Sequence, residues 1–373
     1  MSSISIRPVH SKSDEMAFIR SQWKFYDGNP HWVPPLLMDR KKLIDKKSNP
    51  FYKHAEMELF LAERDGGIVG RIGAIINHNH NAEHKDKVGF FGFFESVDDQ
   101  DVANKLFDAA GAWLKQRTMT AMRGPASPSV NDEYGLLVDG FDKPPMILMT
   151  YNPPYYQRLL EGYGFTKAKD LWAYYLHSKR VFSNQKFIRV AELLKKREDL
   201  SIRSLNMKDF DNEVTRLREM YNKGWEGNWG EVPMTEEEFR YVAKDLKAIV
   251  NPELVIIAEV KGKPVGFGLS LPDLNVVLKD NKNGRLVPAL LRMLLFKKRI
   301  DAIRIVILGV IPEYRNSGIG GVLFYETGRR SVEQGYPHGE ASWVLEDNVM
   351  MNRGAEMMSG EKYKTYRVYE KLI

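Results

Sequence analysis

Residues 306–328 read "VILGVIPEYRNSGIGGVLFYETG". A run of β-branched and leucine residues stops at Pro312, a charged turn follows, and a helical pattern begins. The turn carries Arg315 and then Gly318, Gly320 and Gly321. Glycine is a poor helix former, so its use where a strand hands over to a helix has another cause. The first turn of a helix leaves backbone N–H groups unpaired, and the helix dipole puts partial positive charge at the same end. Glycines remove the side chains that would keep an anion away, and Arg315 adds a planar fork of donors suited to phosphate oxygens. The stretch therefore reads as a strand, an anion-holding turn and a helix. Close approach of helix to strand is the alternative use for Gly318 and Gly320.

Outward from this turn, the chain repeats itself. At an offset of 196 residues, "SIR" recurs at 5–7 and 201–203, and "ELFLAERDGGIVG" (58–70) meets "LVIIAEVKGKPVG" (254–266). Ala62, Glu63, Gly66, Val69 and Gly70 then meet Ala258, Glu259, Gly262, Val265 and Gly266, while Asn152 meets Asn348 and Gly164 meets Gly360. A recurring offset of this kind means two halves with one fold. Each half starts with a strand (3–9; 200–205) and helices (13–25 and 34–46; 207–224 and 235–249). A hairpin follows, turning at Gly66-Gly67 or Lys261-Gly262-Lys263. Next come a strand (87–95; 302–311), a long helix (100–117; 317–334), and a closing strand, helix and strand. In the first long helix Val102, Leu106, Ala109, Trp113 and Leu114 make one apolar stripe. The expected domains are 1–180 and 200–373, with a linker at 181–199. The second half alone carries some thirty residues, 272–301, between two strands, including "LVPALLRMLLFKKR". This insert suits a packed helix or lid, a dimer contact, or a helix lying on a membrane surface.

The chain has 373 residues, with 43% hydrophobic and 28% charged residues and a formal charge of 55 − 49 = +6. That balance suits an anionic ligand without demanding nucleic acid, and long basic runs are absent. With no cysteine there is no thiol nucleophile, disulfide or cysteine-ligated zinc. No apolar run reaches the roughly 18 residues a membrane helix needs, and the start "MSSISIRPVHSKSDEM" lacks a signal-peptide core, so a cytoplasmic protein is expected. "NHNHNAEH" (His78, His80, His84) resembles a metal site only in composition; a solvated hairpin loop is the expectation, and no metal is assigned. "FKKR" (Lys297, Lys298, Arg299) is expected to be a solvated helix end.

"VIPEYRNSGIG" (310–320) resembles the acyl-CoA-binding motif of the GNAT superfamily of N-acyltransferases, an Arg/Gln-x-x-Gly-x-Gly/Ala turn after the fourth strand. Arg315, Gly318 and Gly320 fill its three defining places. The order of elements is similar too. The resemblance covers 200–373 strongly and 1–180 through the repeat. It implies an α/β fold of two tandem GNAT-like domains, each a mixed, mostly antiparallel sheet flanked by helices. It further implies that Arg315, Asn316, Ser317, Gly318, Ile319 and Gly320 hold the pyrophosphate of acetyl-CoA or another acyl-CoA. The strand around Gly309 and Val310 would splay from its neighbour and pair with the pantetheine arm, with a backbone N–H near Val310 polarising the thioester. Asn348 would take part in coenzyme binding or simply cap a helix.

The resemblance also has departures. Where the family places Phe after Gly360, Glu361 stands here, and its usual acidic tyrosine is replaced by Glu356, a poor acid toward a thiolate when ionised. Tyr363 and Tyr366 lie nearby but off the pattern. Glu340 and Glu313 are the candidate bases. In the first half, with Gly92 set against Gly309, Asp98, Asp101 and Ala103 replace Arg315, Gly318 and Gly320. That half is expected to bind no coenzyme A, because acidic groups satisfy the dipole themselves and repel phosphate. Its segment 123–157 offers Asn131, Asp132, Glu133, Tyr151, Asn152 and Tyr155 as one wall of an acceptor site between the halves, or as a proline-held seam. The expected reaction moves an acyl group, acetyl by the resemblance, from coenzyme A to a small-molecule or peptide amine. The rivals are a non-enzymatic acyl-CoA-binding protein and an aminoacyl or peptidyl transferase using charged tRNA. A homodimer is compatible with the sequence.

Overall fold

The computed structural model describes residues 3–373. The chain divides into two compact units. The first comprises residues 1–171, 277–295 and 364–373, and the second comprises 172–276 and 296–363. This division differs from a single cut near residues 181–199. The chain's last strand serves the first unit, and so does most of the insertion. The stretch 181–199 is itself folded into the second unit, where the helix Gln185–Lys195 buries Phe187 and Ala191.

The strands in chain order are β1 (Ser5–Pro8), β2 (Ala55–Arg64), β3 (Gly67–Asn77), β4 (Val88–Ser96), β5 (Ala121–Gly124), β6 (Ala126–Ser127), β7 (Glu133–Tyr134) and β8 (Leu136–Asp139). They continue as β9 (Thr166–His177), β10 (Leu200–Ser204), β11 (Val255–Val260), β12 (Lys263–Pro272), β13 (Ala302–Val310), β14 (His338–Leu345) and β15 (Glu361–Leu372). In the first unit β1 to β5 lie side by side in chain order and β15 follows β5. In the second the order is β10, β11, β12, β13, β14. Each unit is a mixed sheet, antiparallel except for β4 with β5 in one and β13 with β14 in the other.

The repeat survives at the level of single hydrogen-bonded pairs. Ile6 faces Ala62 and Ile202 faces Ala258; Ala62 faces Gly70 and Ala258 faces Gly266. A bulge follows the same alanine in both halves, between Ala62 and Glu63 and between Ala258 and Glu259. An arginine–glutamate bridge also recurs at the same offset, Arg7 to Glu63 and Arg203 to Glu259, each at 2.8 Å. Register is fixed by which side chains must face the core, so matching bulges mean matching cores.

In the first unit the helix Gln100–Lys115 lays Val102, Ala103, Leu106, Phe107, Ala110 and Leu114 on the sheet. Ala109 and Trp113, expected in the stripe, are only half-buried. Trp113 packs against the edge of that core and carries the Arg117 guanidinium 3.8 Å from its ring centre. In the second unit the helix Ile319–Glu333 packs Ile319, Leu323 and Phe324 into the core and buries Val322 as well. The three-histidine segment is a short helix, His78–His84, rather than a loop. His80 is buried there against Phe90, and burial pulls its imidazole down to about 3. No group of three or more metal-ligating side chains occurs among the described residues.

Candidate active site

The site begins where two parallel strands part. β13 and β14 pair only from Ala302 with His338 to Ile305 with Ala341, although β13 runs on to Val310. Just beyond the last pair β13 bulges: Ile305 faces Ser270 and Ile307 faces Leu269, leaving Val306 extra. A bulge bends its strand and re-aims it. Farther along, Ile311 N donates to Val265 O at 2.9 Å, and Gly266 and Val310 are the next facing pair. Antiparallel pairs alternate between bonded and non-bonded, so the Val310 N–H points away from β12, toward the side β14 has left.

The turn follows at once. Residues Pro312–Tyr314 form a single 3-10 turn, and Gly318 opens the helix Ile319–Glu333 with φ +81° and no side-chain cap. Val322 N reaches Gly318 O, so the amides of Ile319, Gly320 and Gly321 stand ahead of the helical ladder, that of Ile319 donating to Ser317 Oγ at 3.4 Å. The three glycines answer to different causes. Gly318 needs its left-handed backbone, and a Cβ there would lie 2.6 Å from Leu194. At Gly320 a Cβ would meet only Val310 Cγ2, at 4.0 Å, and at Gly321 only Phe187, also at 4.0 Å. Packing does not require glycine at either place, so both leave open surface over unpaired amides. A pyrophosphate fits such a cradle. Arg315 is exposed and tethered, with Nη2 donating to Gly224 O at 3.0 Å. Ser317 braces the turn by donating to Tyr314 O at 2.6 Å, and Asn316 faces solvent. Gly309 has a packing cause: a Cβ there would approach the Trp225 ring to 2.5 Å.

The candidate acids and bases separate sharply. Glu313 and Glu356 are exposed. Asn348 caps the helix Val349–Met357, accepting from Met351 N at 3.1 Å. Glu340 is fully buried on β14, paired with Arg304 on β13. Arg304 Nε lies 3.8 Å from its carboxylate and donates to Ser342 Oγ at 3.0 Å, and Ser342 Oγ donates to Glu340 at 2.5 Å. The hydroxyl of Tyr363, on β15, donates to the other carboxylate oxygen. The Tyr363 ring also meets Tyr175, edge-on at 6.0 Å, and the Tyr175 hydroxyl lies 2.6 Å from His338 Nδ1. Burial raises the Tyr175 hydroxyl above the ordinary phenol range. Sequence spacing pointed away from Tyr363, because the contact joins residues 23 apart on two strands, β14 and β15, that have β9 between them in the sheet.

In the first unit the corresponding gap is closed. β4 and β5 pair only from Val88 with Ala121 to Phe90 with Arg123. The chain then returns across the opening: Phe93 N donates to Ser127 Oγ at 2.8 Å, and a Cβ on Gly92 would strike Ala126 O at 1.7 Å. The helix start is self-satisfied as well, since Asp99 accepts from Asp101 N at 2.9 Å and binds Arg64 at 2.7 Å. Asp98 pairs with Arg158.

The 123–157 residues hold their loop together and tie it to Arg40 and Ser96 outside it. Asp132 accepts from Ser129 Oγ at 2.6 Å, and Asn131 N donates to the same hydroxyl at 3.1 Å. Glu133 takes both ends of the Arg40 guanidinium. Tyr151 OH donates to Phe141 O at 3.1 Å, and Tyr155 OH to Ser96 O at 2.7 Å. Asn152 is buried, accepting from Leu137 N at 2.7 Å and donating to Leu137 O at 3.1 Å. Behind them lies a buried network that sequence reading did not single out. Glu95 accepts from Tyr156 OH at 2.7 Å and faces Arg71 at 3.4 Å. Burial raises the Glu95 carboxyl and lowers the Arg71 guanidinium.

No protein-family model matches the chain. It is 37% identical to the bacterial ceramide synthase of Caulobacter vibrioides, over 99% of this chain and 98% of that one. It is 35% identical to Protein YghO of Escherichia coli, over 99% of this chain and 95% of that one. The chain belongs to the family of these two proteins. Among solved structures it is similar to a tandem GNAT protein from the clavulanic acid biosynthesis pathway, with TM-score 0.57, 10% identity and 99% and 98% of the two chains covered. It is also similar to a GCN5-related N-acetyltransferase from Sphaerobacter thermophilus, with TM-score 0.53, 14% identity and 99% and 95% covered. At these identities the likeness is one of fold, and the fold is the tandem GNAT fold.

Proposed function

We propose that this protein is an N-acyltransferase that takes a fatty acyl group from coenzyme A and delivers it to the amine of a long-chain amino alcohol. One observation carries the coenzyme half of this reading. β13 parts from β14 after Ile305 and runs on to a turn whose Gly320 and Gly321 have open space above them. The acceptor half is supported by the relative named bacterial ceramide synthase, since a ceramide is the amide of a fatty acid with a long-chain amino alcohol. The same relative argues for a fatty acyl chain over the acetyl group that the turn's resemblance suggested.

In this reading the amides of Gly318, Ile319, Gly320 and Gly321, with Arg315, hold the pyrophosphate, and the Val310 N–H polarises the thioester carbonyl. The amine nitrogen attacks the carbonyl carbon, a C–N bond forms, and the C–S bond breaks with its electron pair on sulfur. The nitrogen's surplus proton passes to Tyr363 as Tyr363 hands its own to Glu340. The pair then returns a proton to the leaving sulfur, and Glu340 ends ionised as it began. Arg304 and Ser342 support this charge in its buried setting.

The test is turnover. Release of free coenzyme A thiol is followed with palmitoyl-CoA or acetyl-CoA as donor and sphinganine or a short water-soluble amine as acceptor. Thiol release with palmitoyl-CoA and sphinganine, giving the amide by mass, is the expected outcome. Binding of acyl-CoA with no transfer to either amine would leave a binding protein and overturn the proposal.

A further inference from the structure

The helix Leu286–Leu295 buries only Ala289. Leu286, Val287, Leu290, Leu291, Leu294 and Leu295 are between 38% and 77% exposed. These positions recur at spacings of three and four, so they form one continuous outward face. The helix start is held firmly. Trp23 Nε1 donates to Lys282 O at 2.7 Å, Leu37 N to Gly284 O at 2.8 Å, and Asn281 Nδ2 to Arg285 O at 2.9 Å. A pinned helix that turns its leucines outward is built to meet something apolar.

Charge identifies the partner. Residues 279–299 contain Lys279, Lys282, Arg285, Arg292, Lys297, Lys298 and Arg299 against Asp280 alone, so 7 − 1 = +6. The whole chain carries 55 − 49 = +6, which leaves 48 basic and 48 acidic residues elsewhere. The protein's entire charge excess therefore lies in the 21 residues of sequence that include the leucine helix. A second copy of the chain docked through this helix would bring two like-charged segments together. An anionic lipid surface offers apolar depth and neutralising charge together. Ten residues of helix reach about 15 Å, half the hydrocarbon thickness of a bilayer, so the helix lies in the surface rather than crossing it. No helix among the described residues is long and apolar enough to cross a membrane.

We infer that the helix Leu286–Leu295 and the basic residues flanking it in sequence dock this protein on an anionic lipid bilayer. The inference rests on this surface and not on the proposed acceptor.

The test is co-sedimentation of the full chain with vesicles of phosphatidylethanolamine and about one quarter phosphatidylglycerol, against vesicles of phosphatidylcholine alone. The wild type is expected to sediment with the anionic vesicles and to be released by salt. The pair Leu290→Glu and Leu294→Glu, at exposed positions, is expected to lower the bound fraction at least about tenfold. The pair Lys297→Glu and Lys298→Glu is expected to remove the preference for anionic lipid. Unfolding temperature and acyl-CoA titration are measured on each variant, so loss of fold or of the coenzyme site is seen separately. A wild type that stays in solution with anionic vesicles would overturn the inference, as would leucine variants that sediment undiminished. So would light scattering that finds a wild-type dimer turned into a monomer by the leucine changes, which would give the face to a second copy.

Discussion

The hydroxyl of Tyr363 donates to the carboxylate of Glu340, a side chain with no solvent exposure. A buried carboxylate is costly unless paired, and Arg304 and Ser342 complete its shell. If this pair moves protons in the reaction, Tyr363→Phe lowers kcat by about 10²- to 10⁴-fold, the usual range for general acid–base groups. Acyl-CoA affinity, measured by calorimetry, stays within about twofold, because the change removes only an oxygen. An unchanged kcat would make the hydroxyl merely structural.

Gly320 and Gly318 are expected to respond in opposite ways to alanine. Gly320→Ala meets no close neighbour and replaces a poor helix former, so thermal unfolding shifts upward by about 0.5–1 kcal/mol while acyl-CoA binding weakens. Gly318→Ala must hold φ +81° against Leu194, and it costs at least about 1–2 kcal/mol. Denaturant unfolding of the two variants side by side checks the sign.

Glu326 couples the cradle helix to the helix Gln185–Lys195. Burial would raise its carboxyl, but Arg329 and Lys195 outweigh burial and hold it at about 2. A depressed carboxyl contributes stability that is fully present above its unfolded value, near 4.5, and is lost as pH falls through about 2. The contribution is at most about 3 kcal/mol. Glu326→Gln should flatten the stability profile between those two values, read by urea unfolding across that range, and an unaltered slope would remove Glu326 from the account.

Arg71 faces Glu95 in the core of the first unit, at 2% and 5% side-chain exposure. Arg71→Ala strands a buried carboxylate and is expected to cost about 3–5 kcal/mol. Adding Glu95→Gln should recover part of that loss, since the stranded charge then goes with it. A double-mutant cycle in denaturant measures the coupling; independent effects would contradict the pairing.

The duplication was legible in the sequence because register is enforced by core-facing residues. Ile6 against Ala62 and Ile202 against Ala258 sit exactly one offset apart. The glycine turn was legible because Gly318, with φ +81°, has a backbone that few residues but glycine adopt. What the sequence hid was long-range. Tyr363 reaches Glu340 between strands that are consecutive in the chain but not adjacent in the sheet, where β9 lies between them, and no local spacing encodes that contact. Closure of the first unit's gap depends on Ala126 returning over Gly92, which shows only when the chain is folded. The acidic turn that the sequence showed at Asp98 and Asp101 is also tied up locally, with Asp98 on Arg158 and Asp99 capping the helix.

The most direct test of the central claim is calorimetric titration of palmitoyl-CoA and acetyl-CoA into the wild type, Arg315→Glu and Gly320→Glu. The wild type is expected to bind with micromolar affinity and both variants to lose binding with the unfolding transition retained, because each change sets a negative charge on the cradle. Undiminished binding to Gly320→Glu, or no binding to the wild type, would contradict it.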